Sequence, residues 1–180
     1  MLRNRLLILP ALLLAVAFPA CGGGDDKSNE TAATPQATAT DSDVEGTVTV
    51  TGELGSKPTI KVTPDNPTPP AEMVVKDIKK GTGKEAKSGD TVSVQYVGAL
   101  YHNNTVFDNS WDKGQPFSFP LGQGQVIKGW DQGVEGMKVG GRRELVIPPD
   151  LGYGAQGSPP TIPGGSTLVF VVDLEKVSKG

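Results

Sequence analysis

Val126-Ile127-Lys128-Gly129-Trp130-Asp131-Gln132-Gly133-Val134-Glu135-Gly136-Met137 is the stretch in which the apolar residues take up a helical period. Val126, Trp130 and Val134 stand at i, i+4 and i+8, with Met137 three further on, which makes one face of a short helix. Gly136 is its stop signal. Around it the period is two. Val92, Val94 and Tyr96 alternate through Leu100, and Leu168, Phe170, Val172 and Leu174 line one face of a strand from Thr167 to Val177. Shorter strand-like runs are Met73–Ile78, Thr105–Phe107, Phe117–Phe119 and Arg143–Pro148, the last with Leu145 and Ile147 on one face. Lys79–Lys84 reads as a turn. Strands around one short helix predict an α+β fold, an antiparallel sheet with the helix on one side.

Nine of the ten Phe, Tyr and Trp residues lie between Tyr96 and Phe170. Aromatic side chains bury more surface than others. So many in one span can build a core and leave some over to line a pocket, and taken one at a time each also reads as core alone.

The 180 residues suffice for one domain plus extras. Arg3 and Arg5 followed by the apolar run Leu6–Ala20 read as an export signal, residues 1–20, too short and too broken by Pro10 and Pro19 for a membrane span. Cys21 and Gly22-Gly23-Gly24-Asp25-Asp26 come next. That junction resembles a bacterial lipoprotein signal with Cys21 as the lipid attachment, although Phe18 and Pro19 depart from the usual pattern. Cleavage after Ala15-Val16-Ala17 is the rival, and it would release a secreted protein. A lipidated Cys21 implies a protein anchored in the bacterial cell envelope, outside the cytoplasm.

Residues 21–57 read as a flexible acidic Gly/Thr/Pro tether, whose stretch 22–43 reaches roughly 25 Å as a coil. Residues 58–71 read as an extended, proline-rich lead-in, and the domain itself as 72–180. Val44, Val48, Val50, Ile60 and Val62 alternate like a strand, but Pro58, Pro64, Pro67, Pro69 and Pro70 interrupt that pattern. Residues 58–63 are expected to pack on the domain edge.

Charge and chemistry exclude several classes. Residues 22–70 hold eight acids against three lysines, while 71–180 hold twelve acidic and twelve basic side chains. No basic face argues for nucleic acid. Cys21 is the only cysteine, so a disulfide scaffold is excluded. The one histidine, His102, sits in the polar turn His102-Asn103-Asn104. A metal site usually needs several His or Cys ligands, and neither a metal nor a cofactor is expected.

The segment Thr91–Val177 carries a set of motifs in order. Val92-Ser93-Val94-Gln95-Tyr96-Val97-Gly98 leads to Val106-Phe107-Asp108-Asn109-Ser110. Then come Gln115-Pro116-Phe117-Ser118-Phe119, Gly124-Gln125-Val126-Ile127-Lys128-Gly129-Trp130 and Gly136-Met137-Lys138-Val139-Gly140. Ile147-Pro148-Pro149-Asp150-Leu151-Gly152-Tyr153-Gly154, Ile162-Pro163 and Thr167–Leu174 complete the series. The whole resembles an FKBP-type peptidyl-prolyl cis-trans isomerase over about 105 residues from Glu72.

The resemblance implies the fold, a curved antiparallel sheet wrapped around the short helix, and a pocket between helix and sheet. It implies Trp130 as the floor, with Tyr96, Phe117, Val126, Ile127 and Phe170 as apolar walls. Phe107 would pack on the prolyl ring with Asp108 beside it. The Tyr153 hydroxyl and the Ile127 N–H would each bind a substrate carbonyl, and Ile162 would lie on a flap over the opening. Tyr96, Phe107, Asp108 and Tyr153 are the implied catalytic group. Asp108-Asn109-Ser110 is also a good turn sequence, so Asp108 reads equally as a turn carboxylate. Tyr153 reads also as a core tyrosine. Gln125, Ser158, Thr161 and the turn Tyr101–Asn104 depart from the family pattern, which bears on ligand and substrate preference.

The implied partners are proline-containing unfolded polypeptides, macrolide-type ligands and, through Cys21, a membrane. X-Pro rotation needs no bond broken and no proton moved, so an aromatic, water-poor site suits it. A proline-binding chaperone or docking module with incidental turnover is the alternative, and Trp111 reads either as an exposed client contact or as a packed residue. A solute-binding lipoprotein needs a larger, two-lobed domain.

Overall fold

The structure, a computed structural model, describes residues 46–180. The export signal, the Cys21 lipidation site and the tether up to residue 45 lie outside the described residues.

Among the described residues nine regular elements follow in order: β1 (Thr47–Thr51), β2 (Thr59–Thr63), β3 (Val74–Lys79), β4 (Thr91–Leu100), β5 (Val106–Asn109), β6 (Phe117–Pro120), α1 (Lys128–Val134), β7 (Arg142–Ile147) and β8 (Leu168–Ser178). Single 3-10 turns stand at Trp111–Lys113 and Pro149–Leu151. The main sheet has six strands in the order β3-β7-β8-β4-β5, and β6 also pairs with β4. All its pairings are antiparallel. β5 and β6 share one edge of β4, pairing with its C-terminal and N-terminal halves respectively. The chain between them therefore loops out where the two meet.

Because side chains alternate across a strand, the sheet has two faces, and both are apolar. Val92, Val94, Tyr96, Leu145, Ile147, Leu168, Phe170 and Val172 join Trp130 and Val134 of α1 in an inner core. Gly129 and Gly133, one helical turn apart, let α1 approach the sheet closely. A Cβ on Gly129 would lie 2.5 Å from Ile147, and one on Gly133 would lie 2.7 Å from Leu145. The helix ends where Gly136 takes φ +76°.

The opposite face carries Val97, Ala99, Val146, Val169 and Val171. Here the structure departs from the expectation of a tether running to residue 57 and a domain beginning at Glu72. β1 and β2 form an antiparallel hairpin, with Val48 opposite Val62 and Val50 opposite Ile60. Those four side chains pack on this face. The alternation was the true signal, since the prolines fall beside the strands: Pro58 precedes β2 and Pro64 follows it. The expected packing of residues 58–63 is part of this hairpin.

Polar latches fix the hairpin. Arg142 and Asp173, cross-strand neighbours, form a buried bidentate pair at 2.5 and 2.7 Å. The same guanidinium donates to the carbonyls of Gly52 and Ser56 in the hairpin turn, at 2.7 and 2.9 Å. Asn104 accepts from the Val62 N–H and donates back to the Val62 carbonyl. The Tyr101 hydroxyl donates to the Gly46 carbonyl at 3.0 Å. His102 is exposed in its turn, and its carbonyl accepts from the Asn66 N–H.

Candidate functional site

The inner core opens at one end into a pocket of about 320 Å³ between α1 and the sheet. Trp130, only 4% exposed, is its floor. Four rings surround the indole with centroids 5.0 to 6.1 Å away: Tyr96, Phe170, Phe119 and Phe117. Tyr96 and Phe170 meet it edge to face, the favoured geometry for aromatic pairs. Phe107 stands edge-on to Phe170 at 5.5 Å. Gly98 makes this possible, for a Cβ there would lie 2.6 Å from the Phe170 ring and 2.8 Å from that of Phe107. Phe117, 41% exposed, stacks on Phe119 and forms the outer rim.

The polar edge of the pocket is a triangle. The Tyr96 hydroxyl donates to Asp108 Oδ2 at 2.5 Å. Lys113 Nζ lies 2.6 Å from Asp108 Oδ1, and it donates to the Tyr96 hydroxyl oxygen at 3.3 Å. Burial, then the bond to Asp108, pushes the Tyr96 phenol up to about 12. Burial by itself would raise the Asp108 carboxyl. The hydrogen bonds from Lys113 and Tyr96 and the ammonium charge together outweigh it and hold the carboxyl below its ordinary value. The bond to Asp108 in turn raises Lys113. Thus Asp108 is a carboxylate, Lys113 a cation and Tyr96 a neutral donor at neutral pH. Asn109 caps the turn that follows, its side chain accepting from the Asp112 N–H at 2.8 Å.

Two tethers shape the rest. Ser110 is buried. Its hydroxyl accepts from the Tyr96 N–H at 2.8 Å and donates to the Gln95 side chain, locking the start of the loop to β4. Asp131, in the first turn of α1, accepts from the N–H groups of Gly122 and Gly124 at 2.8 and 2.9 Å. This draws the segment carrying Gln125, Val126 and Ile127 over the helix N-terminus, where all three line the pocket.

Tyr153 also lines the pocket and is 39% exposed, so it is a loop residue and not a core tyrosine. Burial first, and the Asp108 charge second, raise its phenol. Among the residues expected at the site, Tyr96, Phe107, Asp108, Phe117, Val126, Ile127, Trp130, Tyr153 and Phe170 come together. Ile162 does not. It is 4% exposed within the inner core, in a closed turn where its N–H donates to Ser158 O and Ser158 N–H donates to Ile162 O. Sequence reasoning missed Lys113 as a pocket residue and treated Gln125 only as a departure. The one signal for Lys113 was a cation five positions after Asp108 across a turn.

The family model for FKBP-type peptidyl-prolyl cis-trans isomerases matches residues 82–175. An FK506-binding protein of Streptomyces anulatus is 56% identical over 110 residues, covering 61% of this chain and 89% of the relative. A peptidyl-prolyl cis-trans isomerase of Arabidopsis thaliana, FKBP15-2, is 58% identical over 95 residues, covering 53% of this chain and 58% of the relative. The crystal structure of FkpA from Escherichia coli matches with a TM-score of 0.55 at 45% identity, over 59% of this chain and 48% of that one. That of AtFKBP13 matches with a TM-score of 0.55 at 39% identity, over 59% of this chain and 94% of that one. The chain belongs to the FKBP-type peptidyl-prolyl cis-trans isomerase family, and the sheet wrapped on one short helix is that family's fold.

Proposed function

We propose that this isomerase acts on X-Pro bonds of exported polypeptides, using the aromatic pocket floored by Trp130. The observation that carries the reading is the pocket itself: an apolar cup of about 320 Å³ closed by aromatic rings, with one polar edge. The X-Pro bond resists rotation by roughly 18–20 kcal/mol because of amide resonance. The twisted transition state has lost conjugation and separates less charge than the planar amide. A dry, apolar cup therefore favours it over the ground state. Phe107 and Phe170 suit the prolyl ring. Ile127 precedes the first helical turn, so its N–H lies outside the intrahelical ladder and is free to bind a flanking carbonyl. Tyr153, which also lines the pocket, supplies a second donor. Asp108, held as a carboxylate, keeps the Tyr96 phenol oriented along the wall.

Macrolides that occupy this class of pocket are proposed as ligands, in keeping with the names of the relatives. The leader and Cys21 support a lipid-anchored protein of the bacterial envelope. Mass spectrometry of the mature N-terminus tests that: an acylated Cys21 is expected, and an N-terminus after Ala17 would mean a secreted protein.

The first test is the cis-to-trans rate of a short X-Pro peptide with the full chain. Phe107→Ala, whose ring is only half buried, should stay folded and lose about 10- to 100-fold in kcat/KM, the range for an apolar contact in a pocket. Wild-type turnover in a folded Phe107→Ala protein would reject the pocket assignment. Tight proline-peptide binding without acceleration by the wild-type chain would point to a docking module instead.

A further inference from the structure

The β1–β2 hairpin precedes the stretch matched by the family model, residues 82–175. It nevertheless reaches the pocket through a single turn. Trp111 opens the 3-10 turn Trp111–Lys113, directly after β5 and Ser110. Its side chain packs against the outer cluster that the hairpin's Ile60 and Val62 build with the sheet's Val97 and Ala99. Its indole N–H is buried and has no acceptor, so packing and not polar bonding holds it there. Beside it, Lys57 of the hairpin donates to both carboxylate oxygens of Asp112, at 2.7 and 2.8 Å. Asp112 also accepts from Asn109 Nδ2 at 2.9 Å. The next residue, Lys113, reaches the other way, to Asp108 and Tyr96 in the pocket. Consecutive residues of one turn thus meet the hairpin and the substrate site.

We propose that Trp111 is a positioning residue for the isomerase pocket and that the hairpin is the brace it bears on. The inference rests on the pocket assignment above. The relative weights of the contacts favour Trp111 over its neighbours. The Lys57–Asp112 pair is exposed on both sides, 42% and 65%, and such pairs contribute little. A packed tryptophan removes far more surface from water. Lys113 is itself 55% exposed and has a long, flexible stem. Its bonds to Asp108 and Tyr96 therefore depend on where the wedged turn sets its backbone. This gives the N-terminal hairpin a role in catalysis that the family-matched segment alone does not contain.

The test compares Trp111→Ala and Trp111→Phe in the full chain, with two readouts. One is kcat/KM on an X-Pro peptide. The other is the titration of the Asp108 carboxyl by carbon NMR, which senses Lys113 directly and does not depend on turnover. Trp111→Ala should lose about tenfold in kcat/KM, within the ~100-fold that an ångström of misplacement can cost. Its Asp108 should titrate nearer the ordinary aspartate value. Trp111→Phe keeps the wedge and sacrifices no hydrogen bond, so both readouts should return to wild type. A folded Trp111→Ala protein whose Asp108 titrates as in wild type overturns the proposal. If that variant does not fold, Trp111→Leu is read by the same criterion. A wild-type chain without isomerase activity would reject the pocket reading, while the Asp108 titration would still decide for or against the brace.

Discussion

The phenol of Tyr96 on the central strand β4 donates a 2.5 Å hydrogen bond to Asp108 on the edge strand β5. This bond, with Lys113 closing the triangle, joins the floor of the sheet to the rim of the pocket. It also fixes the charge state of the site. The Tyr96 phenol is pushed up to about 12 and the Asp108 carboxyl is held below its usual range. Neither group changes charge between mildly acid and mildly alkaline pH. The expected kcat/KM profile is therefore flat from about pH 5 to about pH 9. A depressed carboxyl contributes stability that is present above the unfolded value and lost as pH falls through the folded one. For Asp108 that loss comes below about pH 4. In Asp108→Val the Tyr96 phenol should titrate lower and activity should fall. A bell-shaped profile centred near neutrality in the wild type would contradict this account.

Gly98 leaves the space in which Phe107 and Phe170 meet. Gly98→Ala puts a methyl within 2.6 Å of one ring and 2.8 Å of the other. Overpacking of this kind costs about 1–3 kcal/mol. Denaturant unfolding should show that loss, and kcat/KM should fall with it because both rings line the pocket. Full stability with full activity would mean that the rings move aside freely.

Arg142 is 2% exposed and holds Asp173 beneath the hairpin turn. Arg142→Ala would leave a buried, unpaired carboxylate and release the Gly52 and Ser56 carbonyls. Breaking one side of a buried pair costs about 3–5 kcal/mol. Replacing both partners, Arg142→Met with Asp173→Leu, should recover most of the loss as judged by Tm. Equal losses in the single and the double variant would show that the hairpin contacts, not the lone charge, set the cost.

Glu144 lies two residues along the same strand face, buried, with Oε2 lacking a hydrogen-bond partner. Burial raises its carboxyl, and the charge of Lys76 only partly offsets this. A raised folded value means that its contribution favours folding at acid pH and is lost as pH rises through that value. Glu144→Gln should therefore raise Tm most at alkaline pH, with a gain that shrinks as the pH is lowered and the wild-type group takes up its proton. A lower Tm at pH 7 in the variant would show that Glu144 has a partner after all.

The legible parts of the chain were those where local pattern and tertiary role agree. Val92, Val94 and Tyr96 alternate because one face of β4 meets the helix, and Trp130 and Val134 recur because one face of α1 meets the sheet. The hairpin was hidden because prolines at 58 and 64 read as interruption when they are flanks. A clue did stand elsewhere: Val97, Val146, Val169 and Val171 are apolar at positions that a one-sided sheet would leave polar. Ile162 packs in the same inner core as Trp130 and Phe170, and its place relative to the opening is set by how its turn folds, which a motif does not carry.

The sequence by itself determined the strands of the main sheet, the short helix, the aromatic stock of the pocket and the family, since periodicity and motif order are local properties of the chain. Only the tertiary structure decided that the hairpin covers the second face, that Arg142 and Asp173 meet beneath it, and that Lys113 returns to Asp108. Those contacts join positions distant along the chain or turned back across a loop. Their partners are chosen by which buried surfaces and charges remain to be satisfied once the sheet has closed.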